Sequence, residues 1–211
     1  MSFIGKIIDS AVASRRKRIH DAFRKNLKNE TPSIIANNCV GTMMYHHLGL
    51  RFMSPTVNLW FKKDDYLTFL CNLREYLNSE MTEVIDSKYS YPIGKLSHGG
   101  KDVRIYGTHY KSFDELKEKW NDRKARTDFE NLFIVLTTPV FTKNDAEIFD
   151  ALPYENKLVI AGHSDCDRSY IIFHKALKDE NYDLGNFVQY KRRSSVKKPM
   201  DDIDYVRFLN G

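Results

Sequence analysis

The sequence predicts an α/β fold: a mostly parallel sheet with helices on both faces (three layers), preceded by an amphipathic basic helix. Two observations carry this. Past Thr31-Pro32, short β-rich apolar runs alternate with segments whose apolar residues recur at helical spacing, the pattern of βαβ units. Helices of the length between those runs imply a mostly parallel sheet covered on both faces, and LFIVLTT is the clearest buried strand.

In chain order, Phe3, Ile4, Ile7, Ile8, Ala11 and Val12, continued by Ile19, Phe23 and Leu27, mark a helix over 3–27. SIIAN (33–37) reads as a buried strand, followed by a short helix at about 40–48, and TVNLWF (56–61) as a second strand. Asp64 and Asp65 open a helix striped by Tyr66, Phe69, Leu70, Leu73 and Leu77. DVRIYGT (102–108) is a third strand, with Val103, Ile105 and Gly107 inward. Ser112 and Glu115 form a capping box for a helix carrying Phe113, Leu116 and Trp120. LFIVLTT (132–138) is the clearest buried strand, and Thr142 with Asp145 starts a short helix that ends near Leu152. KLVIAG (157–162) and YIIFHK (170–175) complete the strands. Segment 79–101 fits either an irregular excursion or an antiparallel pair; beyond Asn181 only DYVRFLNG suggests a packed segment. The expected division is a peripheral basic helix over 1–30 and one α/β domain over 31–211.

Charge separates the two parts. Residues 1–30 hold eight Lys and Arg against three acids, which accounts for the whole net charge of +5. A second basic block, KRRSSVKK, spans 191–198. The helix can pack on the domain or on a second subunit, or lie on an anionic membrane surface. Nucleic acid is not expected, because the bases are not interleaved with aromatics and the rest is not positive. Three cysteines without CxxC spacing point to reduced thiols and a cytoplasmic setting. No apolar stretch is long enough to span a bilayer, and Lys6 and Asp9 interrupt the leader, so no secretory signal is expected.

Function is sought where strands end, because open α/β sheets bind ligands beyond the carboxyl ends of their strands. There stand Asn37-Asn38-Cys39, Thr108-His109-Tyr110, Thr137-Thr138 and Gly162-His163-Ser164. Cys39, near a helix start, is a candidate thiolate nucleophile, since the helix dipole lowers a thiol pKa. His109 or His163 would be its base, with Asn37 or Asn38 donating to an oxyanion. Against this, Cys39 also suits a small buried position and Asn38 a cap. Asn58 and Thr137 are candidate substrate-binding groups, as are Arg123 and Arg126, which suit phosphate or carboxylate, although salt bridges are the alternative. His46 and His47 point about 100° apart on a helix and are not expected to share a metal ion. Asp165-Cys166-Asp167 matches the Asp-x-Asp of metal-dependent sugar-nucleotide transferases, a frequent chance pattern. No Walker, dinucleotide-binding or nucleophile-elbow motif occurs, so the sequence names no cofactor.

The stretch NNCVGTMMYHHLGLRFMSPTVNLW (37–60) resembles a bacterial family of unknown function associated with exopolysaccharide or capsule biosynthesis. The resemblance continues through YPIGKL, THYKSFDELKEKWNDRKAR and LFIVLTT to DYVRFLN, over roughly residues 30–211. It implies an α/β fold and a place in surface-glycan synthesis, without an assigned reaction. Strand-Asn-Cys-helix also looks like the start of a capsule acyltransferase-like family. Three functions follow as expectations: acyl transfer through Cys39 onto a glycan, glycosyl transfer from a sugar nucleotide through Asp165 and Asp167, or a non-catalytic role in glycan assembly. The corresponding partners are a glycan and an activated sugar or acyl donor, with an anionic membrane face or a second copy of the chain at the basic helix.

Overall fold

The computed structural model describes residues 3–178 and 184–211, with side chains from Ser10 onward. The side chains of Phe3, Ile4, Ile7 and Ile8, and positions 181–183 of the tail, lie outside the described residues. Helices are α1 (Phe3–Asn26), α2 (Cys39–Leu48), α3 (Lys63–Cys71), α4 (Leu73–Asn78), α5 (Phe113–Lys124), α6 (Lys143–Asp150), α7 (Gly185–Val188) and α8 (Tyr205–Asn210). Strands are β1 (Ser33–Ala36), β2 (Thr82–Val84), β3 (Ile93–His98), β4 (Lys101–Tyr106), β5 (Leu132–Phe141), β6 (Asn156–Ser164) and β7 (Ile171–Phe173).

The chain is a mixed α/β fold with two sheets. The larger is parallel, in the order β1-β5-β6-β7, and the smaller is antiparallel, β2-β3-β4. Side chains of the parallel strands alternate between two apolar clusters. Ile35, Ile134, Leu136, Val159 and Ala161 join Phe69, Leu73 and Trp120, whereas Ile34, Ala36, Phe133, Val135, Leu158 and Ile160 join Tyr45, Phe187 and Tyr205. Both faces of this sheet are therefore buried, which is why its strands read as unbroken apolar runs.

Three expectations are corrected. The DVRIYGT strand does not enter the parallel sheet; it is β4, hairpin-paired with β3. The cause is Gly99-Gly100, both at positive φ (57° and 76°), a two-residue turn that only glycine adopts without strain and that reverses the chain at once. TVNLWF is not a strand. Asn58 sits at φ 61°, and only Trp60 forms a bridge, to Tyr106, with the two rings stacked at 4.0 Å. The helix opened by Asp64 is two helices, broken at Asn72, whose ψ of 48° leaves the helical region.

The polar residues of 37–60 have a structural task at β1, which is the edge of the parallel sheet. On its unpaired side the Ile34 N–H donates to Tyr45 Oη (2.9 Å) and the Ala36 N–H to Thr56 Oγ1 (3.1 Å), while Tyr45 donates onward to Pro32 O. Ser54 Oγ accepts from Thr56 N. Side chains thus take the place of a further strand, so the edge is closed to pairing with another chain. From α1, Val12 is buried and Phe23 packs edge-on against Tyr205 at 5.2 Å. Asn210 ties the helix end down, donating to Asn26 O and accepting from Lys28 N. Among the described residues no helix is long and apolar enough to cross a membrane.

Candidate functional site

A cleft of about 1090 Å³ opens beyond the carboxyl end of β1 and beside Thr137, Thr138 and Pro139 of β5. The first turn of α2, the turn at 107–110 and the segments around 184–190 and Lys198 complete its lining.

Cys39 is the first residue of α2. Asn38 precedes it as the cap, its Oδ1 accepting from Val40 N at 3.1 Å. Facing Cys39 is the exposed His109, whose Nε2 lies 3.3 Å from Sγ. His109 comes from the smaller sheet: its turn is closed by Tyr110 N donating to Gly107 O, and Gly107 N donates to Pro92 O. Tyr110 Oη donates to Val57 O, and Arg123 Nη1 donates to both Val57 O (3.0 Å) and Tyr110 Oη (2.7 Å). Burial pushes the Cys39 thiol up to about 11, the direction that favours the protonated group.

The other expected residues divide. Asn37, Asn38, Asn58 and Thr137 line the cleft with Cys39 and His109. Asn37 uses its amide on the sheet, Nδ2 donating to Thr137 O (3.0 Å) and Oδ1 accepting from Thr137 N (2.8 Å), so it fastens β1 to β5. Asn58 N–H donates to Thr42 Oγ1. Thr137 is 2% exposed and its Oγ1 has no hydrogen-bond partner among the described residues. His163 is exposed on β6 opposite Val140 and does not line the cleft, so it does not join Cys39. Arg123 is consumed in holding the 107–110 turn, and Arg126 donates to Asp122 O; neither lines the cleft. Asp165 and Asp167 are exposed and outside it.

A second group of side chains escaped the sequence reading. Lys198, 8% exposed, lines the cleft and places Nζ 3.1 Å from His47 Nε2. His47 Nδ1 lies 3.0 Å from Tyr205 Oη and 3.4 Å from Asp201 Oδ1, an ion-pair distance rather than a hydrogen bond. Asp201 Oδ2 accepts from the backbone N–H of Lys198 at 2.8 Å. The His20 ring stacks on His47 at 4.0 Å. Burial, then the nearby His20 and Lys198, hold His47 down to about 3. Burial also lowers Lys198 and raises Asp201. The doublet His46-His47 and the basic block around Lys198 were visible in the sequence, but nothing local says that they meet across 151 residues.

His20, His47 and Asp201 also bring ligand atoms within 4.8 Å of one another, and among the described residues this is the group with metal-ligand proximity. On the other side of the His47 ring from Asp201, Nε2 faces the Lys198 amine. Asp201, His47 and Lys198 form a chain of polar contacts leading to the cleft.

The fold and the cleft together define an α/β protein with a thiol–imidazole pair beyond the strand ends. The family model described as domain of unknown function (DUF1919) matches residues 11–210, so the chain belongs to that family. It is also similar to a Haemophilus influenzae protein described as uncharacterized, 34% identical over 205 residues, which are 96% of each chain.

Proposed function

We propose that this protein is a transferase that carries an acyl group on Cys39 and passes it to a hydroxyl acceptor in the synthesis of a bacterial surface polysaccharide. The observation that supports it is the 3.3 Å approach of Cys39 Sγ to His109 Nε2 inside a ligand-sized cleft. The glycan setting rests on the resemblance carried by residues 37–60 and is tested separately, by loss of surface glycan on deleting the gene.

Because burial holds Cys39 as a thiol, the proton leaves as the sulfur attacks. His109 Nε2 takes it while the Sγ–C bond forms at the donor carbonyl. The tetrahedral adduct collapses, the bond to the leaving group breaks, and His109 returns the proton to that group. The acceptor hydroxyl then attacks the thioester, its proton passing to His109 and from there to the departing sulfur. Asn38 stands beside the nucleophile and its cap uses Oδ1 alone, which leaves Nδ2 as a donor for the oxyanion. Exposure of His109 lets its proton exchange with solvent between turnovers.

Incubation with acetyl-CoA or p-nitrophenyl acetate, followed by intact-mass and peptide analysis, tests the proposal. An acetyl adduct on Cys39 is expected, absent in Cys39→Ser and much slower to form in His109→Ala. Acetylation at another residue, or none with either donor, would overturn it.

A further inference from the structure

We propose that Lys198 holds an oxyanion of the cleft's ligand, a phosphate or carboxylate group. This extends the acyl-transfer reading by naming a charged group on the donor or acceptor, and rests on it only in taking the cleft as the ligand site.

The two lysines of the cleft lining make the case by contrast. Lys63 Nζ lies 2.6 Å from Asp145 Oδ2 and 3.4 Å from Val140 O, so its charge is met by a carboxylate. Lys198 is the more buried of the two, yet among the described residues no carboxylate oxygen lies within ion-pair distance of its Nζ. An ammonium has three N–H donors. One is directed at His47 Nε2, and no other acceptor within the described residues receives the remaining two. Asp201 is close by, but it directs Oδ2 to the Lys198 backbone and Oδ1 towards His47.

Among the described residues the cleft wall beside Lys198 adds positive charge. The Tyr190 ring, also in the cleft lining, lies 5.1 Å from Lys198 Nζ and carries the Arg16 guanidinium at 3.5 Å. Arg16 spends its donors on the carbonyls of Arg193 and Ser195. A buried ammonium with unmet donors is costly, and an anionic oxygen entering the cleft would supply both acceptors and countercharge. His47 suits this role as a neutral acceptor: it fixes the amine without competing for the anion.

Calorimetric titration of the full chain with sodium phosphate and with sodium acetate, against sodium chloride at equal ionic strength, tests the proposal. Phosphate or acetate should bind the wild type above the chloride baseline. Lys198→Met should weaken that binding about tenfold or more, the scale of a lost charge-assisted hydrogen bond, and Lys198→Arg should retain it within a few-fold. Preference for phosphate identifies a phosphate ester, and preference for acetate a carboxylate. Cys39→Ser should bind the preferred ion as the wild type does, so the anion site and the thiol chemistry can fail separately. Neither ion binding above chloride, or Lys198→Met binding as well as the wild type, would overturn the assignment. Should Lys198→Met not fold, acylation of Lys198 by N-hydroxysuccinimidyl acetate in the wild type decides: the preferred ion must slow it, and equal rates with and without the ion refute the proposal.

Discussion

His109 and His47 each place Nε2 against a group in one cleft, 3.3 Å from a thiol and 3.1 Å from an amine, and there the likeness stops. His109 is exposed on a turn held by backbone hydrogen bonds, so water can carry protons to and from it. His47 is buried between His20, Tyr205, Asp201 and Lys198, and burial keeps it neutral far into the acid range. The same imidazole is open to proton exchange where solvent reaches it and a fixed partner where solvent does not. Residue type alone does not assign the role.

Breaking each imidazole in turn should separate chemistry from stability. His109→Ala should slow acetylation of Cys39 by about 10²–10⁴-fold, as loss of a general base does, while the urea midpoint stays put. His47→Ala should do the reverse. It strands Lys198, Asp201 and Tyr205 in a buried site and should cost about 3 kcal/mol or more in urea unfolding. If His109→Ala proves the destabilising change, the comparison is wrong.

Acid should sharpen the contrast. His47 has a folded pKa of about 3 against an ordinary value of 6.5, so below about 6.5 the unfolded chain takes up a proton that the folded chain refuses. Stability should therefore fall as pH drops from 7 to 5, on the order of 2 kcal/mol from this group. His20, also lowered by burial, adds to that fall. Asp201, raised by burial, opposes it through the proton it gains when folded. His47→Leu should flatten the slope, and His109→Ala should not. The alkylation rate of Cys39 by iodoacetamide, in contrast, should climb roughly tenfold per pH unit toward about 11. A plateau near neutral pH would mean that His109 holds a standing thiolate.

The smallest effect is expected where sequence reading placed a base that the fold leaves outside. His163→Ala should change neither acetylation nor stability by more than about 0.5 kcal/mol. A large loss of acetylation in that variant would bring β6 into the site.

How much of this was legible follows from range. The parallel strands could be read because burial on both faces leaves runs such as LFIVLTT, and α6 because Thr142 and Asp145 form a local capping box. The hairpin at Gly99-Gly100 is written in the sequence as a glycine pair, a local turn signal that sets 102–108 against the preceding strand and not in the parallel sheet. Cys39 and His109 were expected together because both were thought to end parallel strands. They meet where segment 56–61 joins the two sheets, Trp60 bridging to Tyr106 and Phe61 N donating to Asn37 O. The Lys198 group was illegible because its members lie on α1, on α2 and in the 198–205 segment, and no periodicity links them.

That last separation has a consequence for the chain during its synthesis. His47 leaves the ribosome 151 residues before Lys198 and 158 before Tyr205. At 5–20 residues per second, roughly 8–30 s pass before its partners exist. For that interval α2 can dock on β1, since Tyr45 and Ile34 are only 11 residues apart, but His47 remains wet and free to titrate. The cleft is therefore finished in order, the thiol side once residue 109 can fold back and the amine side only after residue 198 has been made.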